Sequence, residues 1–270
     1  MNNQKRFSAL ESKVKLGNLE IGGETFSLIA GPCTIENYDD LLRIAIKLKE
    51  MGIKILRGGA YKMRSSLHDF QGLGGEGLEM IQAVCRETDM FSVSEVISPD
   101  HVELMSRFVD ILQVGTRNMN NYPLLKKLGS VENPIILKRG FGNTIEEWLL
   151  AAEYIYCGGN KGIILCERGI RSFETYTRFT LDIAAIGAVK SLCNLPVIVD
   201  PSHSCGRREL IRSLSWAAIA AGADGLMLET HFDPDNTLCD SKQTINLQEL
   251  ETIIKPIDKL TKLWDKRSIE

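Results

Sequence analysis

Short, β-branched apolar runs return eight times along the chain. They are FSLIAG from Phe26, IKILRGG from Ile53, MFSVSE from Met90, DILQVG from Asp110, PIILKRG from Pro134, GIILCERG from Gly162, PVIVDPS from Pro196 and GLMLETH from Gly225. Each is nearly continuous in hydrophobicity, so each reads as a strand covered on both faces, the situation of parallel strands between helices. The intervening segments have helical period and recognisable punctuation. DDLLRIAIKLKEMG ends on Gly52, Thr144 with Glu147 forms a capping box for a helix stopping before Gly158 and Gly159, and RRELIRSLSWAAIAAGA ends at Gly222. Eight such units in 270 residues fit a closed TIM (β/α)8 barrel better than an open doubly wound sheet.

Ahead of the first strand, residues 14–23 (VKLGNLEIGG) read as a hairpin around Gly17-Asn18, placed to plug the N-terminal end of the barrel. LQELETIIKPIDKLTKLWDK reads as a final helix broken near Pro256. With no linker or low-complexity tract, residues 1–270 are expected to be a single barrel domain without a separate regulatory domain. The 32 Lys and Arg are outnumbered by 35 Asp and Glu, which argues against nucleic acid as a partner. Neither a signal peptide nor a membrane-length apolar run is visible, so the expected location is cytoplasmic. Seven cysteines without a CxxC pair disfavour a disulfide framework or zinc ribbon.

In a (β/α)8 barrel the chemistry sits where the strands end. Arg57, Lys62 and Arg64 follow the second run, Glu95 the third, Arg117 the fourth, Lys138 and Arg139 the fifth, Glu167 and Arg168 the sixth. One basic residue at one strand end is ordinarily a solvated rim charge. Four strands of eight contributing cations to one mouth point instead to a small polyanionic substrate carrying phosphate, since such charges repel without an anion. Cys33, His203, Glu229 and Asp240 belong to the ends of the first, seventh and eighth runs and the loop beyond, which are neighbours only in a closed barrel. Thiolate, imidazole and carboxylates suit a divalent ion such as Mn, Fe, Co or Zn. A lone Cys33 would more often be a small buried hydrophobe. His203, in DPSHS, is too polar in its surroundings for a core residue. His68, His101 and His231 read as surface or supporting residues, and the glycines of FQGLGGEG (Gly72–Gly77) as a weak phosphate-cradle signal.

The motifs AGPCTIEN, LRGGAYKMRSSLHDFQGLGGEG, QVGTRNMNN, ILKRG, CERGIRSFETYTRFTLDI, DPSHSCGRR and AGADGLMLETHFDP, in this order, resemble the 3-deoxy-D-arabino-heptulosonate 7-phosphate (DAHP) synthases, in the type I branch related to the 3-deoxy-D-manno-octulosonate 8-phosphate synthases. The resemblance implies a metal-dependent barrel that condenses phosphoenolpyruvate with erythrose 4-phosphate and releases phosphate, the first step of the shikimate pathway toward aromatic amino acids. It implies Cys33, His203, Glu229 and Asp240 as metal ligands. Arg57, Lys62, Arg117, Lys138 and Arg168, with Glu95 nearby, are implied around phosphoenolpyruvate, and Arg64 and Ser65 at the aldose phosphate. Catalytic roles fall on Lys138, His203 and Cys33, and a dimer or tetramer is implied. One residue between Lys62 and Arg64 favours the heptulosonate side, whereas octulosonate enzymes typically carry two. Met63 and Ser65 replace the family's usual Pro and Thr. Cys205 and Cys239 flank ligand positions and suggest oxidative inactivation through Cys33. Alternatives to weigh are octulosonate synthesis from arabinose 5-phosphate, a Schiff-base aldolase acting through Lys138, and a non-catalytic phosphosugar-binding protein.

Overall fold

The computed structural model describes residues 7, 10, 12–64 and 66–265. A two-stranded antiparallel hairpin, β1 (Lys13–Leu16) and β2 (Leu19–Gly22), turns at Gly17 and Asn18. Eight parallel strands follow: β3 (Ser27–Gly31), β4 (Ile55–Arg57), β5 (Phe91–Val96), β6 (Ile111–Val114), β7 (Ile135–Lys138), β8 (Ile163–Glu167), β9 (Val197–Val199) and β10 (Gly225–Glu229). They close in the order β10-β3-β4-β5-β6-β7-β8-β9, so all eight predicted runs are barrel strands.

Alternate residues of each strand divide between two cores. Leu28, Leu56, Leu112, Leu137, Leu165, Val197 and Leu226 point outward and pack with the surrounding helices. Ile29, Ile55, Val93, Ile111, Ile136, Ile164, Ile198 and Met227 fill the barrel, and Val14, Leu16 and Ile21 of the hairpin close that inner core from below. The hairpin is therefore a plug, as its position in the sequence implies. Two residues further along each strand, the same inward parity brings Gly31, Arg57, Glu95, Gln113, Lys138, Asp200 and Glu229 to the opposite mouth. Alternation with period two is what converts an apolar floor into a charged ceiling.

The helical punctuation holds. Helix Ile145–Cys157 carries the full capping box of Thr144 and Glu147 and stops at Gly158. Helix Tyr38–Glu50 ends before Gly52, helix Arg208–Ala220 ends before Gly222, and the last helical segment is interrupted between Leu247–Ile254 and Ile257–Thr261 by Pro256. Among the described residues, no helix is long and apolar enough to cross a membrane.

Candidate active site

At the C-terminal mouth, Cys33, Glu229 and Asp240 each offer a ligand atom, all within 4.8 Å of one another. Glycine at position 31 makes this approach feasible. Its φ is +149°, and a Cβ there would collide with the Arg57 carbonyl, so only glycine lets the chain turn tightly into Pro32 and Cys33. Asp240 reaches back from the loop after β10 in a left-handed conformation (φ 54°), with its carbonyl accepting from the amides of Gln243 and Thr244.

His203 stands beside the three, its Nε2 3.1 Å from Glu229 Oε1 and 3.9 Å from Asp240 Oδ2. It lies in the short helix Pro201–Cys205, capped by Asp200, whose side chain also meets His203 Nδ1 at 2.7 Å. Asp200 thereby orients the ring and keeps Nε2 toward the site, the usual arrangement behind a metal-binding imidazole. Glu229 Oε1 is buried without a hydrogen bond among the described residues, while Oε2 accepts from Gln243 Nε2 at 2.6 Å. A buried carboxylate oxygen that makes no hydrogen bond among the described residues, amid a thiol, an imidazole and a second carboxylate, fits a divalent cation in chemistry and in placement.

Lys62 Nζ lies 2.8 Å from Cys33 Sγ and 3.3 Å from Asp240 Oδ2. Burial alone would lower the Lys62 pKa, but the charges of Cys33 and Asp240 outweigh it and drive it upward. The Cys33 thiol is pushed well up, first by its hydrogen bond with Cys239, then by burial and by Glu229. Cys239 is drawn down to about 6, chiefly by that same hydrogen bond, and Arg64 Nη1 meets its sulfur at 2.7 Å. Of the two cysteines flanking ligand positions, Cys239 lies against Cys33, whereas the Cys205 thiol is directed to the carbonyls of Pro201 and Arg207. Burial raises the Asp200 and Glu229 carboxyls, but His203 together with Lys138 for Asp200 and Arg57 for Glu229 holds each well below the usual carboxylate range.

Lys62, Arg64, Arg117, Lys138, Arg168 and Glu95 line one cavity of about 260 Å³, together with His203 and Asp240. Arg57 lies beneath it, 3.1 Å from Glu229 Oε1. Lys138 Nζ is held by Asp200 at 2.6 Å, and the Arg168 guanidinium, lowered to about 10 by burial, donates among the described residues only to the carbonyls of Gly169 and His203. Glu95 is admitted by Gly115, because a Cβ there would strike its carboxylate, and it accepts from Gln113 at 3.2 Å. Ser65 lies outside the described residues. Met63 lines the cavity, with its sulfur accepting from Asn118.

Some strand-end residues do other work. Arg139 turns away to Glu167, Asp182 and the Asn143 carbonyl. The glycine loop is a packing device: Gly72 fits against the Ala60 carbonyl, the Gly74 amide donates to that carbonyl, and Gln71 accepts from the Lys62 amide. His231 and His101 are supporting residues, the first stacked on Phe232 and the second tilted against Tyr61. Sequence reading gave Asp200, at the mouth end of the seventh run, no role of its own, and did not single out Gln243, Phe141, Phe179 or Arg178. Asp200 alone had a usable signal, an acid immediately after an apolar strand and three residues before His203.

A closed (β/α)8 barrel whose strand ends surround an anion cavity and a mixed thiol, imidazole and carboxylate cluster defines a class of enzyme-like barrels for phosphorylated substrates. Comparison with known proteins makes this specific. The DAHP synthetase I family matches residues 7–266. The chain is 46% identical to the phospho-2-dehydro-3-deoxyheptonate aldolase of Thermotoga maritima over 256 residues, covering 95% of this chain and 76% of that protein. It is 32% identical to the 2-dehydro-3-deoxyphosphooctonate aldolase of Rickettsia prowazekii, covering 94% of this chain and 99% of that one. A crystal structure of the Thermotoga maritima DAHP synthase superposes with a TM-score of 0.94 at 43% identity, over 98% of this chain and 80% of the other. A truncated form of 3-deoxy-D-arabino-heptulosonate 7-phosphate synthase from the same organism gives 0.90 at 42%, over 97% of both chains. The chain belongs to the DAHP synthetase I family.

Proposed function

We propose that the chain catalyses the condensation of phosphoenolpyruvate, erythrose 4-phosphate and water to DAHP and inorganic phosphate, the entry step to aromatic amino acid biosynthesis. The observation that carries this reading is one cavity lined by Lys62, Arg64, Arg117, Lys138 and Arg168 together with His203 and Asp240, with Cys33 and Glu229 clustered against Asp240. The greater identity to the heptonate enzyme than to the octonate enzyme supports the four-carbon aldose.

In the reaction, C3 of phosphoenolpyruvate forms a bond to the aldehyde carbon, and the aldehyde oxygen becomes a hydroxyl on taking a proton. Water adds at C2, and that carbon then loses phosphate by C–O cleavage. Phosphoenolpyruvate is itself the nucleophile, so no covalent bond to the protein is needed. Arg57, Lys62, Arg117, Lys138 and Arg168 orient its carboxylate and phosphate and stabilise the charge as it moves. Lys138, held in place by Asp200, is read as the proton donor. Cys33, His203, Glu229 and Asp240 would hold the divalent ion, whose chemistry when bound is polarisation of the aldehyde oxygen. Arg64, with Ser65, receives the aldose phosphate. The whole is read as one barrel domain that assembles into a homo-oligomer in the cytoplasm.

Loss of phosphoenolpyruvate absorbance, followed with erythrose 4-phosphate and separately with arabinose 5-phosphate, tests the reading. Faster consumption with the four-carbon sugar is expected. Preference for the pentose would move the activity to the octulosonate branch, and binding without turnover would leave a phosphosugar-binding protein. Borohydride trapping of a substrate adduct on Lys138 would establish the Schiff-base route instead.

A further inference from the structure

One wall of the active-site cavity is built by a residue without an assigned role. Arg178, in the loop between β8 and helix Ile183–Leu192, lines that cavity and also a second one of about 740 Å³ lying outward, beside Tyr176, Arg207 and Lys242. Its backbone is fixed, because the Arg178 amide donates to the Cys205 carbonyl at 3.0 Å and the Phe179 amide to Ser204 at 2.8 Å. Its guanidinium lies 5.5 Å from the centroid of Phe179, whose ring stacks on Phe141 at 4.9 Å and also carries Arg168 at 4.2 Å.

Charge pairing separates Arg178 from its neighbours. Arg64 is tied to Asp69 through two nitrogens and to Cys239 through the third, Arg207 meets Glu209, and Arg208 meets Asp235. Among the described residues Arg178 pairs with no carboxylate. Among the described residues its guanidinium makes one hydrogen bond, a long one of 3.5 Å to Gln243 Oε1. Arg168, beside it on the same ring, also lacks a carboxylate partner among the described residues. With Arg168 given to phosphoenolpyruvate, Arg178 is a second guanidinium near the same ring, one that an incoming second phosphate would complete.

Position selects which phosphate. The aldehyde of the aldose has to lie deep, against the buried Cys33 and Glu229, so its phosphate at the far end of the molecule points to the exposed rim where Arg178 stands. We propose that Arg178 is a specificity-determining residue that binds the aldose phosphate and, standing between the two cavities, limits the length of sugar that fits between aldehyde and phosphate. This rests on the condensation reaction proposed above and adds to it the residue that gauges the aldose.

Steady-state kinetics of Arg178→Ala and Arg178→Lys test it, with phosphoenolpyruvate, erythrose 4-phosphate, unphosphorylated erythrose and arabinose 5-phosphate. Arg178→Ala should raise KM for erythrose 4-phosphate about tenfold while KM for phosphoenolpyruvate stays within about twofold. Its preference for erythrose 4-phosphate over erythrose should fall, its relative use of arabinose 5-phosphate should rise, and Arg178→Lys should recover part of the loss. An unchanged KM for erythrose 4-phosphate, or an equal rise in KM for phosphoenolpyruvate, overturns the assignment. A wild-type chain that consumes no phosphoenolpyruvate with erythrose 4-phosphate overturns the reaction itself, a result seen before any variant is made.

Discussion

Asp200 is the residue on which most of the site turns. It caps the helix that carries His203, fixes the imidazole through Nδ1 and holds Lys138, so one carboxylate orients both a candidate ligand and the candidate proton donor. Asp200→Asn should weaken divalent-metal binding roughly 10- to 100-fold, as loss of the carboxylate behind a ligating histidine generally does, and competition with a chelator would measure it. The acid dependence follows from the same contacts. Because the folded-state pKa is held far below the unfolded value of about 3.9, the stabilisation by Asp200 is complete above that value and is lost as pH falls through the folded one. In chelated protein, the stability difference between wild type and Asp200→Asn should therefore be level from neutral pH to about 4 and shrink below it. Urea unfolding across that range checks the sign, and a difference that grew on acidification would contradict the assignment.

Strands and helices carry predictions of their own. Thr144→Ala removes half of a complete capping box on an exposed helix start and should cost about 1 kcal/mol in urea unfolding, with kinetics unaltered. Gly31→Ala places a Cβ against the Arg57 carbonyl at a φ that L side chains rarely adopt. Because Gly31 aims the turn into Cys33, the change should lower metal affinity as well as stability, and calorimetric metal titration separates the two. Strand ends were legible for a physical reason: a strand repeats every two residues, so an apolar run predicts which residue faces the mouth two positions on. Arg57, Glu95, Lys138 and Glu229 follow that rule. Arg178, Phe179 and Gln243 do not, since they lie on connecting segments where no period fixes direction and only tertiary pairing, such as Phe179 with Ser204, brings them inward.

For the whole molecule, one end is an apolar floor closed by a hairpin and the other a charged mouth, joined by eight strands of fixed parity. The plug is part of the core, because Val14, Leu16 and Ile21 contact the inner ring. Ile21→Ala should cost about 2–5 kcal/mol and lower Tm, as deletion of a fully buried aliphatic side chain does, without altering KM for either substrate. The closed barrel also explains why the ligand set could be assembled from distant parts of the sequence: β9, β10 and β3 are adjacent only after closure. The most direct test of the central claim, that this mouth joins a metal-held aldehyde to phosphoenolpyruvate, is phosphoenolpyruvate consumption with erythrose 4-phosphate before chelation, after it, and after Mn is restored, in wild type and Cys33→Ala. Loss and recovery in the wild type, with neither activity nor recovery in Cys33→Ala, is the predicted result. Full activity after chelation, or in metal-free Cys33→Ala, would contradict it.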